Sequence, residues 1–335
     1  MENNPHDGLL AIDTHVDIPW PEGPSAFEDG PRCVDLPKLR AGGVGAVCFA
    51  AYVPQGPRDA AGHLAAGERA RAMLRAIAAM APEDGSGGIL TITADEIESA
   101  FAVGKPGIIP AIENGYAIGQ DISLLDEFAA AGVRYMTLTH NGHNEIGDAA
   151  IALPNLGDTD TRCGGLSDFG QSVIGRMNEL GILVDVSHSA KSTMMQAAKR
   201  SRSPVLATHS CMKALCDHKR NLDDEQLELL AATGGLVQIT IVSSFLRRHA
   251  RASDVTLADI ADHVDYAVGR MGIDHVGIGT DFDGGGGVRG FMNAAQAPNL
   301  TAELARRGYS REALAKIWGG NFLRLLRQAE SLAAA

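Results

Sequence analysis

From residue 9 to residue 331 short apolar runs alternate with longer amphipathic stretches, and this alternation constrains the fold more tightly than any other feature. The runs at 9–13, 44–52, 107–112, 133–139, 182–187, 204–208, 235–240 and 276–280 are bounded by Gly, Pro or Asp and read as strands. They are nearly continuous in apolar character, as strands buried on both faces must be. Helical periodicity fills the intervals 58–80, 94–103, 121–131, 167–180, 190–201, 223–232 and 256–271, and a last helix is expected over 310–331. Thr93, Ser123 and Ser310 stand where helix N-caps belong. Strands alternating with helices give a parallel sheet covered by helices, so the class is α/β. Eight such units predict a closed (β/α)8 barrel of the TIM type. No Pro/Ser-rich linker, charge run or fixed-period repeat divides the chain, so residues 1–335 are expected to form a single domain.

With 335 residues, 45% of them hydrophobic and 21% charged, the chain can bury a sizeable core. Its 41 acidic and 29 basic residues leave a net charge of -12, which repels phosphate backbones and argues against a nucleic-acid partner. No apolar run approaches the ~18 residues of a membrane span, and Met1-Glu2-Asn3-Asn4 lacks the basic and apolar blocks of a signal peptide. The expectation is a cytoplasmic protein with no membrane partner. Cys33, Cys48, Cys163, Cys211 and Cys216 are odd in number and contain no C-x-x-C pair, so free thiols are expected rather than disulfides or a thiolate metal site. Cys211 lies two residues after His209, but nothing else in the chain is arranged around that thiol.

Nearly every predicted strand ends in a residue able to bind metal or move protons. His15 and Asp17 are two apart, which puts both on one face of an extended strand end. Glu113 closes the run 108–112, where a buried carboxylate needs charge or hydrogen bonds to compensate it. His188 and His209 follow two successive strands. Each of these residues alone is as readily explained by capping or packing; their joint placement on one rim is what points to metal. Five N and O ligands exceed the three that a single catalytic ion commonly takes, so two ions are the natural count. Glu113 could bridge ions about 3.5–4 Å apart, one on His15 and Asp17 and the other on His188 and His209. Imidazole and carboxylate without thiolate favour zinc over other divalent transition metals. Asp281 and Asp283 close the eighth run; Asp281 is expected to face the mouth as acid/base and Asp283 to fix the turn into Gly284–Gly287, with the reverse assignment open. The long connections 18–43, 141–166 and 282–300 all fall on the same C-terminal rim, where barrel enzymes keep their chemistry.

In this order the motifs resemble the membrane (renal) dipeptidase family of zinc peptidases, peptidase family M19, within the amidohydrolase-like metal barrels. The matching segments are Asp13-Thr14-His15-Val16-Asp17, Thr137-Leu138-Thr139-His140-Asn141, Val184-Asp185-Val186-Ser187-His188, Ala207-Thr208-His209-Ser210, Arg220-Asn221-Leu222-Asp223-Asp224, Gly279-Thr280-Asp281-Phe282-Asp283-Gly284 and Gly319-Gly320-Asn321-Phe322-Leu323-Arg324. The resemblance implies a metallo-dipeptidase with two zinc ions on the ligands above and Glu113 bridging. It further implies that His140 contacts the substrate carbonyl and oxyanion, that Arg220 receives the terminal carboxylate, and that Asp281 is the catalytic aspartate. Dipeptides, including L-Xaa-D-Xaa, would be the substrates and a homodimer the assembly. The chain departs from the family in carrying Asn114 after Glu113 where glycine is commoner, and in lacking the secretion signal, lipid-anchor tail and disulfide cysteines of the animal enzymes.

The mechanism expected is attack on the peptide carbonyl by a hydroxide held between two zinc ions, with Asp281 moving the proton to the leaving amine. His143, three residues after His140, is the rival for the carbonyl. The remaining histidines, including His6, His63, His218, His249, His263 and His275, are read as surface or packing residues. Other readings are an amidase, lactonase or deaminase of the same barrel class, which would give Arg220 no role, and a non-catalytic metal-dependent binding barrel.

Overall fold

The computed structural model describes residues 4–18 and 21–333. Its strands are β1 (Ala11–Asp17), β2 (Val44–Tyr52), β3 (Ile89–Leu90), β4 (Gly107–Glu113), β5 (Tyr135–Thr137), β6 (Leu183–Asp185), β7 (Leu206–Ser210), β8 (Leu236–Ile239) and β9 (Val276–Ile278). All the pairings are parallel and run in the order β1-β2-β4-β5-β6-β7-β8-β9, with the two-residue β3 added beside β4. The ring closes between β9 and β1: the Asp281 amide donates to the His15 carbonyl (2.9 Å), the Asp17 amide to the Phe282 carbonyl (3.0 Å) and the Thr14 hydroxyl to the Ile278 carbonyl (2.9 Å). The result is the expected nearly closed eight-strand (β/α)8 barrel.

Helices Ala60–Ala78, Ala94–Ala102, Leu124–Ala130, Asp168–Glu179, Lys191–Arg200, Asp224–Ala232 and Leu257–Met271 occupy the predicted intervals. Thr93 starts its helix through a capping box with Glu96, and Ser310 accepts from the Ala313 amide (3.2 Å). Ser123 makes no such cap; its hydroxyl donates to Asp121 Oδ1 instead (2.6 Å).

Five predicted segments differ. The helix expected over 310–331 is divided into Arg311–Ala315, a wide π turn Lys316–Gly320, and Asn321–Ala333. The turn brings backbone against backbone, because a Cβ on Gly319 would lie 2.4 Å from the Leu10 carbonyl oxygen. The last of these helices places Phe322, Leu323, Leu325 and Leu326 against Ile12, Ile109, Tyr135 and Leu183, and so closes the floor of the barrel. The runs at 133–139 and 182–187 keep only three residues each in ladders, since their C-terminal ends bend into the rim. The connections 18–43 and 282–300 are not plain loops: they carry the helix Leu36–Gly42 and the start of the helix Ala297–Arg306. Residues 19 and 20 of the first connection lie outside the described residues.

The connection 141–166 is held by two buried carboxylates. Asp148 accepts from the Thr161 hydroxyl and the amides of Arg162, Cys163 and Gly165, while Asp158 accepts from the amides of His143 and Leu153 and from Arg58. Among the described residues no helix is long and apolar enough to cross a membrane.

Candidate metal and catalytic site

A regular strand shows alternate side chains to opposite faces, yet His209 sits next to the inward-facing Thr208 and still reaches the barrel mouth. The reason is a break in register: β7 slips against β8 between Ala207 and Ser210, and β1 slips against β2 between Asp13 and Val16. Such irregularities re-aim one side chain without ending the strand. Asp13 stabilises the second break by accepting from the His15 amide (3.3 Å) and from the Thr280 amide (2.9 Å) and hydroxyl (2.6 Å), which ties β1 to the end of β9. His188 reaches the rim in a left-handed backbone conformation, φ 64°, and Asp281 and Asp283 do so at φ 62°. Backbone of this kind in non-glycine residues concentrates at functional sites.

Glu113 ends β4 in the middle of this arrangement. Its Oε1 lies 3.1 Å from His188 Nε2, 3.4 Å from His209 Nε2, 3.7 Å from His15 Nε2 and 3.9 Å from His140 Nε2. Asp17 Oδ1 stands 3.8 Å from His15 Nε2. Two sets of mutually close donor atoms share Glu113: His15, Glu113 and His209, and Glu113, His140 and His188. The rings of His15 and His209 are 3.8 Å apart between centroids and those of His140 and His188 4.0 Å. Glu113 is therefore common to two donor sets, and of the four imidazoles those of His188 and His209 lie nearest its Oε1.

The donor set fits divalent metal ions. His15 Nε2, His209 Nε2 and Asp17 Oδ1 are buried without a hydrogen-bond partner, and such groups are costly unless something binds them. Burial pushes the His15 and His140 imidazoles down to about 3, helped by the Arg220 charge, and carries His188 and His209 well below the usual histidine range. These rings are neutral and offer lone pairs. Burial, then the neighbouring Asp17 and Asp281 charges, raises Glu113, and burial with Asp281 and Asp283 raises Asp17. A cation at this point would favour the ionised carboxylates and the neutral imidazoles together.

Above the donors opens a cavity of about 280 Å³ whose walls include Tyr52, His140, Arg220, Phe245 and Asp281. Asp281 is raised to about 7 by burial, with the Arg220 charge opposing. Asp283 is occupied elsewhere: its oxygens accept from the Cys33 (2.7 Å) and Val34 (3.2 Å) amides and pin the incoming loop. Arg220 is buried, donates from Nη2 to the His209 carbonyl (3.2 Å), keeps Nε without a partner and lies 5.4 Å over the Phe245 ring. Burial lowers it to about 10, resisted by Asp281 and Glu113.

His143 is removed from contention by its partners. Its Nδ1 accepts from the Ala149 amide (3.0 Å) and its Nε2 reaches the Thr159 carbonyl (2.9 Å), so both ring nitrogens hold the 141–166 connection. Cys211 is buried with its thiol on the Thr240 carbonyl (3.3 Å), and burial pushes that thiol up, away from nucleophilic use. All five cysteines are free.

Three site residues were not legible in the sequence. Tyr52 packs 4.8 Å from the His140 ring, yet it reads as one more apolar residue of its strand. Phe245 stands in a short helix that shows no periodicity. Gly284 reads as one glycine of a turn, but a Cβ there would lie 2.3 Å from Asp17 Oδ2 and 2.4 Å from Asp281 Oδ1, a closeness that chain order does not reveal.

Comparison with known proteins matches residues 6–335 to the family model described as membrane dipeptidase (peptidase family M19). Dipeptidase aclJ of Aspergillus oryzae is 36% identical over 231 residues, which make up 69% of this chain and 53% of that protein. The chain thus spans about half the length of that curated relative. The solved structure of a probable dipeptidase, PvdM, from Pseudomonas aeruginosa superposes with a TM-score of 0.94 at 28% identity, covering 98% of this chain and 97% of that one. A metallo peptidase from Rhodobacter sphaeroides, solved with a phosphinate mimic of the dipeptide L-Ala-D-Ala, superposes at 0.83 and 27% identity over 96% of this chain and all of that one (100%).

Proposed function

This chain belongs to the membrane dipeptidase family, peptidase family M19, and from that premise we propose that it hydrolyses dipeptides at a site holding two zinc ions. Convergence of four imidazoles on Glu113, beside Arg220 and Asp281, is the observation that carries the reading. His15 and Asp17 would hold one ion and His188 and His209 the other, with Glu113 between them. When bound, the metals supply Lewis acidity toward the scissile carbonyl and lower the pKa of the attacking water.

Arg220 orients the substrate: its planar fork takes the terminal carboxylate, held in place by Phe245 and the His209 carbonyl. His140, neutral because burial opposes its protonation, donates an N–H to the carbonyl oxygen as negative charge develops there. Asp281 removes the proton of the attacking water and returns it to the leaving amine. The cavity of about 280 Å³ stands at the lower end of ligand pockets and suits a dipeptide. The Rhodobacter relative's L-Ala-D-Ala mimic supports including L-Xaa-D-Xaa dipeptides.

The test is metal content with hydrolysis of an L,L and L,D dipeptide panel before and after chelation. About two ions per chain and chelator-sensitive cleavage are expected. Two ions without dipeptide cleavage would move the assignment to an amidase, lactonase or deaminase. Asp281→Asn should keep its metal and lose about 10²–10⁴ in kcat; undiminished turnover would remove Asp281 from the mechanism.

A further inference from the structure

Beneath the metal donors lies a buried carboxylate that the mechanism does not use. Asp185, at the end of β6, is fully buried, and no ion pair to it is present among the described residues. It accepts four hydrogen bonds. The amides of Ser187 (2.9 Å) and Thr208 (3.0 Å) donate to Oδ1, and the hydroxyls of Thr137 (2.6 Å) and Thr208 (2.7 Å) donate to Oδ2. The Thr208 hydroxyl oxygen in turn lies 2.8 Å from His209 Nδ1; its contacts with Ser187 Oγ (3.3 Å) and His15 Nδ1 (3.4 Å) are longer.

We propose that Asp185 is a positioning residue that selects the metal-binding tautomer of His209 through Thr208. A hydroxyl has one hydrogen, and a carboxylate can only accept. Thr208 must therefore aim its hydrogen at Asp185 and present a lone pair to His209. The His209 proton then sits on Nδ1, and Nε2, 3.4 Å from Glu113 Oε1, is left with the lone pair that a metal needs. Second-sphere partners of this kind set both the tautomer and the orientation of ligating histidines. The other two histidine ligands have their Nδ1 atoms held separately, His15 by the Tyr135 hydroxyl (2.8 Å) and His188 by Asn141 Oδ1 (3.1 Å). The relay thus acts mainly on His209, at 2.8 Å, with the 3.4 Å contact to His15 Nδ1 secondary to that from Tyr135.

Asp185→Asn keeps the shape and reverses the polarity. Two amides face Oδ1, so the carboxamide oxygen must lie there and its NH₂ must face Thr137 and Thr208. The Thr208 hydroxyl is then free to donate to His209 Nδ1, which moves the ring proton to Nε2 and blocks the metal position.

The inference rests on the two-metal reading of the site, but its readouts do not use turnover, so failure of the dipeptidase assignment leaves them intact. Zinc affinity is measured by competition of the holoenzyme against a chromophoric chelator, and the His209 tautomer by ¹⁵N ring shifts in the zinc-free full chain. Asp185→Asn is expected to weaken zinc binding by about 10–100-fold and to move the His209 proton from Nδ1 to Nε2. Thr208→Val should weaken zinc binding too, whereas Thr208→Ser, which retains the hydroxyl, should restore it. Folded Asp185→Asn with unchanged affinity and an Nδ1 proton on His209 overturns the proposal. If Asp185→Asn does not fold, equal zinc affinity in Thr208→Val and Thr208→Ser overturns it.

Discussion

Replacing Gly284 by alanine adds one carbon at the point where the Asp17 and Asp281 carboxylates approach the backbone. That carbon would lie 2.3 Å from Asp17 Oδ2 and 2.4 Å from Asp281 Oδ1, whereas ordinary contact begins near 3.4 Å. Each carboxylate, or the turn itself, must therefore retreat by about 1 Å. Gly284 is not among the positive-φ glycines, so its backbone conformation is open to alanine and the cost is steric. Overpacking of this size costs about 1–3 kcal/mol of stability, and a displacement of about 1 Å at reacting groups can cost about 100-fold in rate, or about 2.7 kcal/mol. The assay is kcat/KM on a cleaved dipeptide, with metal content and thermal melting on the same sample. A folded variant with kcat/KM down about 100-fold is expected. Gly269→Ala is the comparison, since nothing lies within 4 Å of its Cβ position in the helix Leu257–Met271; it should leave activity unchanged and raise stability by about 0.5–1 kcal/mol. Full activity in Gly284→Ala would refute the claim that Asp17 and Asp281 are held to their present positions by that glycine.

Arg220→Ala should lower kcat/KM on dipeptides by about 100-fold or more while changing cleavage of a dipeptide amide, which lacks the free carboxylate, far less. Equal losses on the two substrates would end the carboxylate-capture role. His140→Ala should retain both metal ions and lose about 10²–10³ in kcat; loss of one ion on elemental analysis would instead make His140 a ligand, as its place in the second donor set allows. Glu303, away from the site, is held down to about 2 by its hydrogen bonds to Arg306 and Arg307, against an ordinary 4.5. Its folded value lies below the unfolded one, so it stabilises the protein above about pH 4.5 and that contribution fades as pH falls toward 2. The melting temperature of Glu303→Gln should lie below wild type at pH 6, by the equivalent of about 0.5–1 kcal/mol after screening, and the gap should close below pH 4.5; a gap independent of pH would contradict the assignment.

Much of the site was legible because barrel geometry makes chain order informative. A residue just beyond an apolar run must emerge on one rim, so His15, Asp17, Glu113, His140, His188, His209 and Asp281 could be gathered without coordinates. Helix starts were legible where the capping side chain bonds locally, as at Thr93 and Ser310. The division of the last helix was not, because the close approach of Gly319 to Leu10 joins residues from opposite ends of the chain.

Chain order and residue type by themselves determined the class of fold, the rim that carries the chemistry and the donor types available to a metal. These follow from hydrophobic period and local bonding, which act over a few residues. Tertiary structure decided which histidines lie close together, that His143 serves the loop while His140 faces the cavity, that Asp283 pins a loop while Asp281 stays free, and that Asp185 and Gly284 bear on the site at all. The reach of His15 and His209 into the mouth depends on register slips in β1 and β7, and the place of Asp281 on closure of β9 against β1. Contacts between residues far apart in the chain, such as Asp283 with the Cys33 amide (2.7 Å) and Asp13 with the Thr280 amide (2.9 Å), are set by how the whole ring packs, and no local rule of the sequence contains them.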